Sequence, residues 1–295
     1  MTKDQTESEN FANYVDKYYS RKDAEYIGKY GSDGRVHIHV GHYDKKSHPE
    51  VFRQGYITPS LGEEYLRSLL REGQDRTTNM LLDRIPVGLD GCSVLDCGAG
   101  LGGSTWLMAE RFKCQVSALT LSTDQYSYML EESANMGLST VMPILADVFS
   151  AGWPTTTYDV IIGIEAMCQM GHYPRLLERL AATQKPGGII AVSDYFAQDT
   201  MSPIANRLND YWVSRITTAS HFLDCLTRAG YKLLSLEDTT NYQLPYWDLS
   251  IAMSMFPLSS WTKERRDESR SFHQEMRQAF ENQDMRYLQL VAVKE

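Results

Sequence analysis

The residues best placed to do chemistry begin with Ser93-Val94-Leu95-Asp96-Cys97-Gly98-Ala99-Gly100-Leu101-Gly102-Gly103-Ser104. A short apolar run ends in Asp96. Gly98, Gly100 and Gly102 then let the backbone turn sharply and a ligand come close. A helix expected from about Thr105 to Phe112 aims its N-terminal amides over the loop. Gly98, Gly100 and Gly103 also fit a dinucleotide fingerprint, which alone is a weak signal. Asp96 separates the readings: its carboxylate repels a pyrophosphate and attracts a ligand bearing an ammonium and a sulfonium.

A second set of polar residues falls at strand ends. The periodicity predicts strands at Ser93–Asp96, Gln115–Leu119, Val141–Leu145, Tyr158–Ile164 and Ile189–Ser193, alternating with helices, then Tyr231–Glu237 and Arg286–Val293. That order points to an α/β fold with a doubly wound, mostly parallel sheet, whose ligands sit beyond the carboxyl ends of the strands. Asp96, Thr120, Asp147, Glu165 and Tyr195 all lie at those ends. Lys185-Pro186-Gly187-Gly188 reads as a tight connection into strand five. The segment Val36-His37-Ile38-His39-Val40-Gly41-His42-Tyr43 alternates, so as a strand it would put His37 and His39 on one face. No carboxylate or cysteine cluster sits nearby in sequence to complete a metal site, so no metal is expected and the segment is read as lining the site.

Helices must hold these parts in place. Phe11, Tyr14, Val15, Tyr18 and Tyr19 form one face of a helix from about Glu9 to Tyr30, which either packs on the domain or closes the site. Leu61–Leu82 reads as a surface helix. Ala197–Thr218 reads as amphipathic and helix-like, and Ser220–Ala229 as another helix. Before the final strand, Leu244-Pro245-Tyr246-Trp247-Asp248, then Met253, Met255, Phe256 and Trp261, and a charged helix to about Asn282 look like an aromatic lid. The expected organisation is a helix and site-lining segment over 1–60, an α/β core over 61–240, a helical lid over 241–284 and a final core strand over 285–295.

The 295 residues carry a net charge of −9, which argues against a nucleic-acid partner. No apolar run reaches the roughly 18 residues of a membrane span, and the N-terminus is too polar for a signal peptide. Five cysteines, an odd number without metal spacing, suit reduced thiols, so a cytoplasmic location is expected.

Taken together, Ile38-His39-Val40-Gly41, the Asp96–Gly102 loop, Leu119-Thr120-Leu121-Ser122 with Gln125, Ala146-Asp147 and Glu165-Ala166-Met167 resemble the class I methyltransferases that use S-adenosylmethionine. The likeness is to the small-molecule branch of cyclopropane fatty acid, sterol and tocopherol enzymes, and it spans about Tyr18 to Tyr195. Further on, Leu244-Pro245-Tyr246-Trp247-Asp248-Leu249 and Met285-Arg286-Tyr287-Leu288 are similar to geranyl diphosphate C-methyltransferases and related terpenoid C-methyltransferases, the teleocidin-pathway type among them.

The resemblance implies a Rossmann-like seven-stranded sheet and S-adenosylmethionine over Asp96, Gly98, Gly100 and Gly102. It further implies ribose contacts from Thr120, Leu121 and Gln125, and adenine contacts from Asp147 and the Val148 backbone. Asp147 could instead cap the next element. Tyr18 and Tyr19 would cover the cofactor, and Glu165 would touch it and act as general base. Tyr195, Phe196, Trp212, Tyr246, Trp247 and Phe256 would enclose a terpenoid or prenylated (geranyl) indole, whose methylated alkene becomes a carbocation and could cyclise. A homo-oligomer with exchanged N-terminal helices fits the early helix and its glycine-bearing tail.

One departure from the geranyl diphosphate enzymes bears on the substrate. Their Tyr-His-His-His-Tyr-Gly segment, near which magnesium and diphosphate bind, is missing after Val40-Gly41. Its absence favours an uncharged prenylated substrate, while Arg35, Lys45, Lys46 and Arg53 keep a diphosphate open. An O- or N-methyltransferase is the other alternative. It would want a histidine base, and His172 in Gln169-Met170-Gly171-His172-Tyr173 is available.

Overall fold

The structure, a computed structural model, describes residues 3–30, 35–44, 49–52, 61–149, 157–200, 202–257 and 261–295, apart from the side chains of 3–12 and 49–50. The chain opens with a long helix, α1 (Lys3–Tyr30), a single turn, α2 (Pro49–Phe52), and α3 (Glu63–Asp83). The alternating region follows as β1 (Ser93–Cys97), α4 (Gly103–Arg111), β2 (Gln115–Thr120), α5 (Thr123–Asn135), β3 (Val141–Leu145) and β4 (Tyr158–Ile164). Then come α6 (Met167–Met170), α7 (Tyr173–Ala182), β5 (Gln184–Ala197), α8 (Pro203–Trp212), α9 (Ala219–Arg228) and β6 (Tyr231–Asp238). Finally α10 (Thr240–Met253) and α11 (Lys263–Glu281) lead into β7 (Met285–Lys294).

The strands form one seven-stranded sheet in the order β3-β2-β1-β4-β5-β7-β6. All pairs are parallel except those that β7 makes with β5 and β6. Alternation splits each central strand between two cores. Leu95, Ile161, Ile190 and Val192 pack with Leu176, Leu177 and Phe222 of α7 and α9 on one face. Val94, Val160, Ile162 and Ala191 pack with Leu81, Trp106 and Met129 of α3, α4 and α5 on the other. A strand covered on both faces must be apolar throughout, as these are.

A third core joins α1, α8, α10 and α11 over the carboxyl ends of the strands. α10 is buried on several sides, through Tyr246, Trp247, Leu249 and Ala252 among others. α3 belongs to two cores and is no surface helix: Leu66, Leu69 and Leu70 enter the lid core, and Leu81 and Leu82 the sheet core. Tyr14 also departs from the expected face of α1, being 65% exposed while Val15 is buried. The helix expected over Ala197–Thr218 is shorter, and α8 stops where Val213 turns left-handed (φ 54).

The histidine segment is not a strand. Its described residues make one isolated bridge, Val36 to Gly102. Side chains of α3 take its backbone acceptors instead. Gln74 Nε2 donates to the carbonyls of His37 (3.2 Å) and His39 (2.6 Å), and Thr77 Oγ1 donates to Val40 O at 2.9 Å. The His42 amide donates to Gly73 O at 2.8 Å. Gln74→Leu would leave two buried carbonyls without donors, a cost of about 2–4 kcal/mol. Urea unfolding should show that loss, and a change below about 0.5 kcal/mol would mean that the segment is held by other contacts.

Candidate active site

Two cavities open above the carboxyl ends of the strands, of about 1130 Å3 and 710 Å3, counting the space at their mouths. They share five wall residues: Tyr19, Gly98, Gly100, Glu165 and Gln169. The glycine loop follows β1 and is tied to β2 by the amides of Gly98 and Ala99, which donate to Leu119 O at 3.1 and 2.8 Å. Gly98 has φ +89, and a Cβ there would sit 2.5 Å from that of Ala166. Asp96 lines the larger cavity. Its Oδ2 accepts a 2.6 Å hydrogen bond from Thr105, and burial pushes its pKa up to about 6. Gly102 lies on neither wall: its left-handed backbone starts α4 against Trp106, where a Cβ would meet the indole at 2.5 Å.

The smaller cavity gathers Thr120, Leu121 and Gln125 from the end of β2, with Asp147 and Val148 beyond β3. Thr120 donates to Gln125 Oε1 at 2.8 Å, and Gln125 Nε2 donates to Asp23 of α1 at 3.2 Å. Asp147 closes a turn by accepting from the Phe149 amide at 2.8 Å. Tyr19 donates to Gln169, bringing α1 to the shared wall. Tyr18 falls on the larger cavity alone, sharing a 3.0 Å hydrogen bond with Tyr26.

Glu165 stands at the junction. It follows β4 with φ 51, a left-handed conformation that side chains other than glycine adopt at a cost. Its amide donates to Ser193 O at 2.8 Å, and its Oε1 accepts from the Val40 amide at 2.6 Å. Burial pushes its carboxyl up to about 8, against the opposing pull of that amide and of the Tyr195 and Tyr287 hydroxyls. Tyr195, Trp212, Tyr246 and Trp247 line the larger cavity around it. Tyr195 packs on Trp212 with ring centroids 5.1 Å apart, and Tyr246 on Trp247 at 5.0 Å.

Besides Gly102, three expected site residues are not brought to these walls. Phe196, next to Tyr195 on a strand, points to the opposite face and packs on Phe222 at 5.5 Å. Phe256 is half-buried beyond α10, against the lid core. His172 is exposed, with a left-handed backbone at the start of α7 and its ring edge-on to Phe149. His37 and His39 do line the larger cavity, with His37 Nδ1 3.0 Å from His39 Nε2 and His37 Nε2 2.7 Å from Asp75. Among the described residues no group of three or more His, Cys, Asp or Glu could hold a metal, and no helix is long and apolar enough to cross a membrane.

Residues 64–292 match the mycolic acid cyclopropane synthetase family. The chain belongs to that family. Its fold is that of class I methyltransferases, and S-adenosylmethionine is the family's cofactor. A 2-methyl-6-phytyl-1,4-hydroquinone methyltransferase of Synechocystis is 27% identical over 213 residues, 70% of this chain and 59% of the relative. Phosphoethanolamine N-methyltransferase 3 of Arabidopsis thaliana is 32% identical over 119 residues, 40% of this chain and 24% of the relative. The matched stretch thus covers less than two thirds of either relative. Among solved structures, a geranyl diphosphate methyltransferase in complex with GPP and sinefungin superposes with a TM-score of 0.76 at 18% identity, covering 96% of this chain and 99% of the other. The [4+2]-cyclase SpnF superposes with a TM-score of 0.74 at 20% identity, covering 96% of each. At those identities the likeness is one of fold.

This family member also places residues on the site that no motif announces. Gln169 reaches the shared wall, and Lys29, Trp261, Arg265 and His273 line the larger cavity alone. Helical spacing within the charged stretch that became α11 was the one signal for the last two.

Glu165 makes the stability of the empty protein depend on pH. Below pH 4.5, its ordinary value, it is protonated in both the folded and the unfolded chain. Between 4.5 and about 8 the unfolded chain loses a proton that the fold retains, so the contribution falls as pH rises. Glu165→Gln stays neutral and should gain on the wild type by about 1–3 kcal/mol between about pH 5 and 8.5, a range reduced because the cavity admits water. Paired chemical denaturation at both pH values checks this, and a constant difference would mean an ionised carboxylate in the fold.

Proposed function

We propose that the protein uses S-adenosylmethionine to methylate an alkene carbon of a terpenoid or a prenylated aromatic, with a geranyl-bearing indole as the type of substrate. The observation that carries this is Glu165, a carboxylate on the wall shared by a smaller cavity at the ends of β2 and β3 and a larger one lined by aromatic rings.

The residues of the smaller cavity fit the cofactor. Gly98 and Gly100 leave a path for its amino-acid end, with Asp96 nearby for the ammonium. Thr120 and Gln125 offer groups for the ribose, and Asp147 an acceptor for the adenine amino group. When bound, the cofactor supplies an electrophilic methyl on a sulfonium. Transfer of that methyl to the alkene carbon, the S–C electron pair staying with sulfur, would leave a positive charge on the substrate. Tyr195, Trp212, Tyr246 and Trp247 present π faces to that charge and keep water from it. In its ionised form Glu165 neutralises it and takes a proton from the adjacent carbon, giving a new alkene. Where a ring lies close by, its π electrons capture the cation instead and a cycle forms.

Two features favour a prenylated aromatic. The Synechocystis relative is named for a hydroquinone carrying a phytyl chain. Of the basic residues that could meet a diphosphate, Arg35 pairs with Glu110 at 3.0 Å, while Lys45, Lys46 and Arg53 lie outside the described residues. The fold shared with geranyl diphosphate methyltransferases supports a prenyl diphosphate as the second reading. An O- or N-methyltransferase drawing on His172 would need a base that stands outside both cavities.

Gly100→Val adds a side chain at a φ of +57, toward Ile38 and the cofactor's path, and should abolish S-adenosylmethionine binding in calorimetry while the fold persists. Unchanged affinity would remove the loop from the site. Glu165→Gln should lower turnover at least about tenfold, or roughly 1.4 kcal/mol, with little change in cofactor affinity. Mass spectrometry and NMR of the product of a geranylated indole should place the labelled methyl on carbon. A methyl on oxygen or nitrogen would overturn the proposal.

A further inference from the structure

On the wall of the larger cavity, Lys29 is 2% exposed and makes no ion pair among the described residues. Its Nζ donates to Ser250 Oγ at 3.2 Å and lies 4.7 Å from the centroid of the Tyr30 ring and 5.8 Å from that of Tyr246. A buried ammonium ordinarily has a carboxylate partner, because desolvation penalises it otherwise. Here burial pushes its pKa down to about 7. The neighbouring cation, Arg265, is by contrast occupied, by Glu25 and Glu268 at 3.0 Å each and by Tyr211 at 3.1 Å.

Two further donors without acceptors sit on rings linked to Lys29 by short contacts. Tyr246, whose ring is 5.8 Å from Lys29 Nζ, packs on Trp247 at 5.0 Å, and the Trp261 ring lies 5.1 Å from the neighbouring Arg265. The indole nitrogens of Trp247 and Trp261, both wall residues, are buried and unpartnered. An unpaired N–H is costly to bury, so its presence on a cavity wall points to an acceptor that arrives with a ligand. Tyr195, Trp212, Tyr246 and Glu165 line another part of the same wall, where rings suit an unsaturated chain.

We infer that Lys29, with the indole N–H groups of Trp247 and Trp261, forms a subsite for a carbonyl-type oxygen head, a carboxylate or an amide, that anchors the substrate while its alkene lies beside Glu165. The inference rests on the reading of the larger cavity as the substrate chamber. One unpaired ammonium balances a head with at most one negative charge. A diphosphate at this subsite would bring more charge than Lys29 alone can neutralise.

The test measures binding to the full chain in complex with S-adenosylhomocysteine. The probes are geranic acid, geranamide, the headless 2,6-dimethylocta-2,6-diene and geranyl diphosphate. The acid or the amide should bind the wild type at least about tenfold tighter than the diene, and Lys29→Met should remove that advantage without altering S-adenosylhomocysteine affinity. A larger loss for the acid assigns a carboxylate head, and equal losses assign an amide carbonyl. The double variant Trp247→Phe/Trp261→Phe, which keeps the rings and the charge, should weaken the same probes. Should Lys29→Met fail to fold, this double variant decides alone, and unchanged affinities there overturn the subsite. It is also overturned if the diene binds as well as the acid and amide, if Lys29→Met leaves their affinities unchanged, or if geranyl diphosphate binds more tightly than the acid in a Lys29-dependent way. If no probe binds while S-adenosylhomocysteine does, the chamber reading falls, and the subsite with it.

Discussion

The site depends on one carboxylate kept where two cavities meet. Glu165 has a backbone conformation that its residue type disfavours, and such strain persists only where neighbours over-determine it. Here they do. Ser193 on β5 fixes the amide, and Val40 fixes a carboxylate oxygen. Val40 is in turn held by Thr77 of α3, whose backbone carbonyl accepts from Gln289 of β7 at 3.0 Å. The acid is thus braced from the sheet on one side and from a helix anchored to that sheet on the other. A group held this way needs little reorganisation when charge develops beside it, which is where electrostatic catalysis gains most.

The two cavities divide the physical work. The smaller is made largely at the ends of β2 and β3, where loops expose backbone and short polar side chains, as an open α/β sheet dictates. The larger is roofed by α10 and α11 and carries most of the site's aromatic rings on its wall. α1 serves both, through Val15 and Tyr19 on one side and Tyr18, Tyr26 and Lys29 on the other. Its buried Asp23, pushed up to about 7 by burial and bonded to Gln125, ties it to the wall of the smaller cavity.

The histidine segment shows how a tertiary contact overrides a local pattern. Its alternation is that of a strand, yet its carbonyls are met by Gln74 and Thr77 of α3, and its His42 amide by the Gly73 carbonyl, rather than by a neighbouring strand. The histidines are used similarly. His37 and His39 bond to each other and to Asp75, Thr78 and Ser104. Burial pushes His39 down to about 3 and so keeps it neutral. The partners come from α3 and α4, some forty and sixty-five residues away, which is why spacing within the segment could not announce them.

The sequence by itself determined the sheet, because strands buried on both faces must be continuous apolar runs and each ends where a polar residue meets the ligand side. Asp96, Thr120, Asp147, Glu165 and Tyr195 were legible for that reason, as was the glycine loop, whose backbone needs are local. Period-two alternation also separates Tyr195 from Phe196, but only the pairing of β5 decided which of the two faces the cavity. His172 looked available because sequence shows residue type and not exposure; a left-handed turn carries it out to solvent. Gln169 and Lys29 could not be read at all, while Trp261 was legible only as part of the aromatic lid and His273 only through the helical spacing of its stretch. They lie on three helices and a loop, from three distant parts of the chain, and they meet only because the lid core folds over the strand ends. Which polar groups lack partners is a property of that packing, since a hydrogen bond between distant residues leaves no periodic trace in the chain.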